Sequence, residues 1–251
     1  MSMRFRLVAA LLLGVLCAAG VATFVPYSLW NMPLPDGWPP TPSVMAGVAA
    51  ATLVVMAAAA YLGLALAQRI GFAPFPSLTS EPSDGESGRA RVFRAIGAGL
   101  VAGVLAAIAY EIVSWSDDTP ELDPAAPVAE RSIRILGGIV FASIHEEVLM
   151  RLFLVTTIVW ALSMPARRRG SGVPAWCWWV AIIAAAPGCL PLLVVIEGMI
   201  RPLTTAYVVA SVAIHAGLGI VFGCEYRRRG LEGSILAQAG AQLVFLIAAR
   251  F

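Results

Sequence analysis

Long apolar runs separated by shorter polar segments dominate the hydrophobic pattern of this chain. Each run is near the roughly 20 residues that a bilayer core requires of a helix. The runs lie at about 7–25, 44–67, 95–115, 135–163, 176–196, 203–224 and 231–249. The fourth run is long for one crossing, so we expect it to tilt or to follow a short helix. The pattern predicts an all-α fold, a polytopic transmembrane helix bundle with about seven spans.

Composition agrees with this pattern. Hydrophobic residues make up 59% of the 251 positions and charged residues only 13%, about half of what soluble domains carry. We therefore expect an integral, multi-pass protein of a bacterial plasma membrane, with the lipid bilayer as its first partner. The N-terminal run follows a basic start, as in a signal peptide, but it is long enough to cross a bilayer and is interpreted as an uncleaved helix. A net charge of +2 is too small to indicate nucleic-acid binding.

The arginines predict an orientation. All 17 basic residues are arginine. With the N-terminus inside, twelve of them fall in inside segments, four fall in outside segments and Arg151 lies within the membrane. Because basic residues gather on the cytoplasmic side, this alternation predicts a cytoplasmic N-terminus.

One predicted span contains charges that a membrane normally excludes. The stretch FASIHEEVLMRLFLVTTIVW, 141–160, carries Glu146, Glu147 and Arg151. A charge at bilayer depth costs roughly 2.5–3.5 kcal/mol on insertion scales. In an α-helix, Glu147 and Arg151 are four residues apart and able to pair, whereas Glu146 points about 100° away and has no basic partner within its helix.

The unpaired carboxylate leaves three interpretations open. A carboxyl group in a low-dielectric site holds its proton more strongly, which suits a general base that works near neutral pH. The same burial suits a protonated, silent carboxyl in a helix-packing role. Intramembrane Glu, Arg and His are also typical of ion or proton pathways. Spacing alone does not choose among catalysis, structural pairing and transport.

The motif Glu-Glu-x-x-x-Arg at membrane depth, followed by LFL, resembles the first motif of the CPBP family of intramembrane proteases, the type II CAAX prenyl endopeptidases and their relatives. The segment GIVFGCEYRRRGLEGSILAQAGAQLV, 219–244, resembles the last two helices of that family. The likeness divides the chain into N-terminal transmembrane helices, 1–133, with about three spans, and a protease-like core, 134–251, with about four.

The resemblance implies roles for the charged residues. Glu146 would activate the water that attacks a scissile peptide carbonyl, and Glu147 and Arg151 would organise the site. The family adds two histidines from later helices. Here Cys189, in AAAPGCLP, and Gln238, in GLEGSILAQ, occupy those positions, and Gln242 occupies the position of a family Asn or Asp. The resemblance also implies a divalent metal, but the missing histidines argue against one, and no metal ligand is assigned.

These residues support two main hypotheses. The first is an intramembrane endopeptidase that cleaves membrane-associated peptides or proteins, with His215 as a candidate compensating group in the site. The alternative is a catalytically inactive family member that binds or scaffolds membrane proteins, which the loss of both motif histidines favours. A proton-coupled transporter is the third reading, but no repeat or matching pair of broken helices supports it.

Overall fold

The computed structural model describes residues 2–30, 42–76, 88–114, 139, 142–188 and 204–248. These residues are almost all helical, and none of them forms a β-strand. In chain order the helices are α1 Met3–Trp30, α2 Pro42–Arg69, α3 Gly88–Ser114, a π-helix Ala142–Val155, α4 Thr156–Arg168, α5 Ala175–Ala185 and α6 Thr205–Ala248.

The surfaces of these helices fit a lipid environment. Large apolar side chains are exposed on several of them, among them Leu12 at 60%, Val54 at 68% and Val101 at 63%. Exposed apolar surface of this extent is rare on soluble monomers and marks contact with lipid or with a partner. The apolar helices are therefore compatible with an integral, multi-pass membrane protein.

The count of about seven spans is not confirmed. Within the described part of the chain, five helical stretches are long and apolar enough to cross a membrane. They are Met3–Ala22, Pro42–Arg69, Gly88–Ile112, Ser143–Arg168 and Thr205–Val244. The fifth predicted run coincides with the short helix α5 only as far as Ala185; residues 186–188 form a turn, and 189–196 lie outside the described residues. The sixth and seventh runs both fall within α6, which is one continuous helical stretch except at a single glycine.

That glycine, Gly230, divides α6 into two segments, 205–229 and 231–248. Its φ of 71° and ψ of −167° fall in a region that is essentially restricted to glycine. The backbone N–H of Leu231, the next residue, donates to the carbonyl of Pro74, in the loop after α2, at 2.7 Å. Phe222 of the first segment packs with Ala237 and Ala241 of the second, so the chain reverses direction at Gly230.

The π-helix lies at the centre of the described helices. Its Val148, Leu152 and Val155 are buried in the main apolar cluster, together with Leu64 of α2 and Tyr226 of α6. The α2 helix approaches the π-helix closely, since a side chain at Gly63 would collide with the backbone carbonyl of Leu152. The charged stretch is thus enclosed between α2 and α6, and this packing positions the candidate site.

Candidate active site

The charged stretch is wound more widely than the sequence predicts. Ala142–Val155 is a π-helix, in which hydrogen bonds run from i to i+5. Side chains five residues apart therefore lie nearer to the same face of the helix than they would in an α-helix. Glu146 and Arg151 are five apart, and the Arg151 charge acts on both Glu146 and Glu147. The spacing predicts no basic partner for Glu146 within its own helix; in the structure Arg151 pairs with Glu147, and its charge also acts on Glu146.

The predicted pair between Glu147 and Arg151 forms. Arg151 Nη1 lies 3.4 Å from Glu147 Oε1, and both residues are buried. Arg151 Nη2 also donates to the carbonyl of Gly219 on α6 at 3.3 Å, and its guanidinium lies 5.6 Å from the centre of the Phe222 ring. Buried charges are tolerated best when they are both paired and hydrogen-bonded. These contacts satisfy that condition for Arg151, whereas both carboxylate oxygens of Glu147 are buried without a hydrogen-bond partner among the described residues, so the charge of Arg151 is what offsets the burial of Glu147.

Glu146 has a different partner. Its Oε2 accepts a hydrogen bond from Gln238 Nε2, in the second segment of α6, at 2.6 Å. Unlike Glu147, the side chain of Glu146 is only partly buried. The structure therefore separates the two adjacent carboxylates: Glu147 is enclosed in an ion pair, and Glu146 is held by a neutral amide at a position with some exposure.

The other predicted site residues have different positions. His215, on the first segment of α6, is near enough to Glu146 for electrostatic interaction. Its Nδ1 forms a hydrogen bond with the Ser211 carbonyl of its own helix at 2.8 Å. Gln242 is partly buried one turn beyond Gln238. Cys189 lies outside the described residues, so its predicted place near Glu146 stays a prediction.

Three hydroxyl groups complete the surroundings of the pair, and the sequence reasoning missed them. Thr156, the first residue of α4, donates to the Arg151 carbonyl at 3.2 Å, and its hydroxyl lies 2.7 Å from that of Tyr226. Ser234 lies beside Glu147 and donates to the Leu231 carbonyl at 3.1 Å. Polar residues within otherwise apolar runs were the available signal, since hydroxyls in membrane helices commonly form bonds between helices.

The described residues do not fit a metal ion. No three of the His, Cys, Asp and Glu side chains that the structure describes gather closely enough to hold one. Arg151 engages Glu147, and an amide N–H group occupies Glu146 Oε2. We therefore derive no step through a metal.

The arrangement has the parts of a general-base site. Glu146 is a partly exposed carboxylate whose orientation Gln238 fixes, and Arg151 supplies a positive charge that stabilises negative charge nearby. Comparison with protein-family models, with curated proteins and with solved structures finds no match. The resemblance to the CPBP family therefore rests on the quoted motifs alone.

Proposed function

We propose that this protein is an intramembrane endopeptidase of the CPBP type, which cleaves membrane-associated peptides or proteins with Glu146 as general base. The observation that carries the proposal is the hydrogen bond between Gln238 and Glu146. The motif comparison expects the residue at 238 to lie beside the first glutamate. The contact joins two residues that are 92 positions apart in the chain, so it supports that comparison independently of the EExxxR spacing.

In the proposed reaction, Glu146 takes a proton from a water molecule, and the resulting hydroxide adds to the scissile carbonyl carbon. The tetrahedral oxyanion collapses as the C–N bond breaks, and Glu146 returns its proton to the leaving amine. Gln238 keeps the carboxylate oriented toward the water, and Arg151, anchored by Glu147 and Gly219, keeps a positive charge close to the developing negative charge.

The test is Glu146→Gln, which removes the base and keeps the size of the side chain. Wild-type and variant proteins are reconstituted with solubilised membrane proteins, and new peptide N-termini are identified by amine labelling and mass spectrometry. We expect termini that appear with the wild type and with Glu111→Gln, an exposed carboxylate on α3, and that disappear with Glu146→Gln. Unchanged cleavage by a folded Glu146→Gln variant contradicts the assignment.

A second candidate function is an inactive family member that holds a membrane partner. The observation that favours it is that the group next to Glu146 is an amide, which cannot exchange a proton as an imidazole does. The same experiment separates the two functions, because Glu146-dependent cleavage contradicts inactivity. The inactive member is favoured if the wild-type protein produces no new termini and the Glu146→Gln variant captures the same specific membrane proteins as the wild type.

A further inference from the structure

A cationic pocket lies outside the candidate active site, between α5 and the end of the first segment of α6. Its volume is about 230 Å³, and it is lined by Trp179, Cys224, Arg227 and Arg228. None of these four residues is acidic. The pocket therefore combines two guanidinium groups, an aromatic face and a small thiol, and nothing in the proposed peptidase reaction uses them.

Two of three consecutive arginines, Arg227 and Arg228, line the pocket. Arg229 pairs with Glu225, four residues earlier on the same helix. Arg227 instead places its guanidinium 6.0 Å from the centre of the Trp179 ring, a cation–π distance. Arg228 is exposed. Guanidinium groups present planar sets of N–H donors that match phosphate oxygens, so the pocket suits a phosphate ligand.

The setting of the pocket indicates that this phosphate belongs to a lipid. Trp176, Trp179, Val180 and Ile183 form an exposed stripe along α5, each at least 45% exposed, and their spacing places them on one helix face. An apolar face of this kind suits acyl chains, and tryptophan favours the level of the headgroups. The pocket therefore combines two positive charges with an adjoining surface for lipid tails.

We propose that this pocket binds the phosphate headgroup of an anionic phospholipid, with Arg227 and Arg228 on the phosphate and the α5 stripe against the acyl chains. Basic pockets between membrane helices are a known form of anionic-lipid site. A soluble phosphate compound would use the same two arginines, but it would gain nothing from the apolar stripe beside them.

The test uses the full-length protein in dodecyl maltoside, titrated with phosphatidylglycerol or phosphatidylcholine, with bound lipid counted by native mass spectrometry. We expect tighter binding of phosphatidylglycerol. The variant Arg227→Gln/Arg228→Gln should bind it about twenty-five-fold more weakly, since each arginine near an anionic headgroup contributes roughly fivefold. The matched control is Arg168→Gln/Arg169→Gln, which removes two exposed arginines elsewhere and should bind as the wild type does.

Three results would overturn the proposal. Equal weakening in both double variants would assign the effect to overall charge. Equal affinity for the two lipids would show that net headgroup charge has no role, and displacement of the lipid by inorganic phosphate would indicate a site for a soluble anion.

Trp179→Leu is a second variant that keeps both arginines and an apolar side chain. It should still weaken phosphatidylglycerol binding. If the arginine variant does not fold, unchanged binding by a folded Trp179→Leu variant counts against the proposal.

Discussion

Gln238 Nε2 donates a hydrogen bond to Glu146 Oε2 across 2.6 Å, and this bond joins the π-helix to the second segment of α6. The partner of Glu146 is thus a group that donates hydrogen bonds and does not titrate. Adjacent Glu147 is paired with Arg151 instead. Two neighbouring carboxylates in one helix are therefore stabilised by different means, one by an opposite charge and one by an amide.

Gln238→Ala tests how much the amide stabilises the fold. The substitution leaves the partly buried carboxylate of Glu146 without its donor, which should lower the free energy of unfolding by about 1–3 kcal/mol. Unfolding in mixed dodecyl maltoside and SDS micelles measures this change. The matched control is Gln242→Ala, one turn further along the same segment, for which we expect a clearly smaller loss. Equal losses in the two variants would show that the bond to Glu146 has no special role.

Arg151→Met tests the buried ion pair. Removing one member of a buried pair strands the other charge and typically costs about 3–5 kcal/mol, whereas replacing both members by apolar residues is often neutral. We therefore expect the double variant Glu147→Leu/Arg151→Met to be more stable than Arg151→Met alone. A cycle of both single variants and the double variant, measured by the same unfolding assay, gives the coupling energy. Additive losses in that cycle would contradict the pairing.

Part of this site was predictable from sequence because the spacing of residues along one helix determines which side chains can pair. The pair Glu147–Arg151 is four residues apart, and that spacing brings two side chains together in either kind of helix. The motif resemblance placed Gln238 among the possible site-lining residues, but its contact with Glu146 is known only from the structure. The partner of Arg151 on α6, the Gly219 carbonyl, is a backbone atom, and no side-chain pattern marks it.

The winding of the charged helix was not predictable from its residues. In FASIHEEVLMRLFLVTTIVW, apolar residues occur in every direction around the helix axis. The sequence therefore has no hydrophobic stripe that would distinguish a period of i+4 from one of i+5. The reversal in α6 was foreseen as a boundary between two apolar runs. However, its position at Gly230 depends on a backbone conformation and on a contact with Pro74, which lies far away in the chain.

Gly63→Ala tests the close packing of α2 on the π-helix. A methyl group at this position meets the carbonyl of Leu152, so either α2 or the π-helix must shift. Overpacking of this kind costs about 1–3 kcal/mol. Gly47→Ala on the same helix is the control, since a side chain there has open space, and it should be neutral or slightly stabilising. A neutral Gly63→Ala variant in the unfolding assay would contradict the packing of these two helices.

Gly230→Ala tests the reversal of α6. Alanine at this φ and ψ is strained by about 1–3 kcal/mol, and its methyl group would also press against the Pro74 carbonyl, which accepts the Leu231 N–H. The control is Gly217→Ala, a helical position in the same element with open space around it, where alanine should stabilise by up to about 1 kcal/mol. Because the reversal brings Gln238 beside Glu146, Gly230→Ala should also weaken that contact. Once alanine is at 230, the further substitution Gln238→Ala should therefore cost less than it does in the wild type, and an undiminished cost would show that the contact does not depend on the turn.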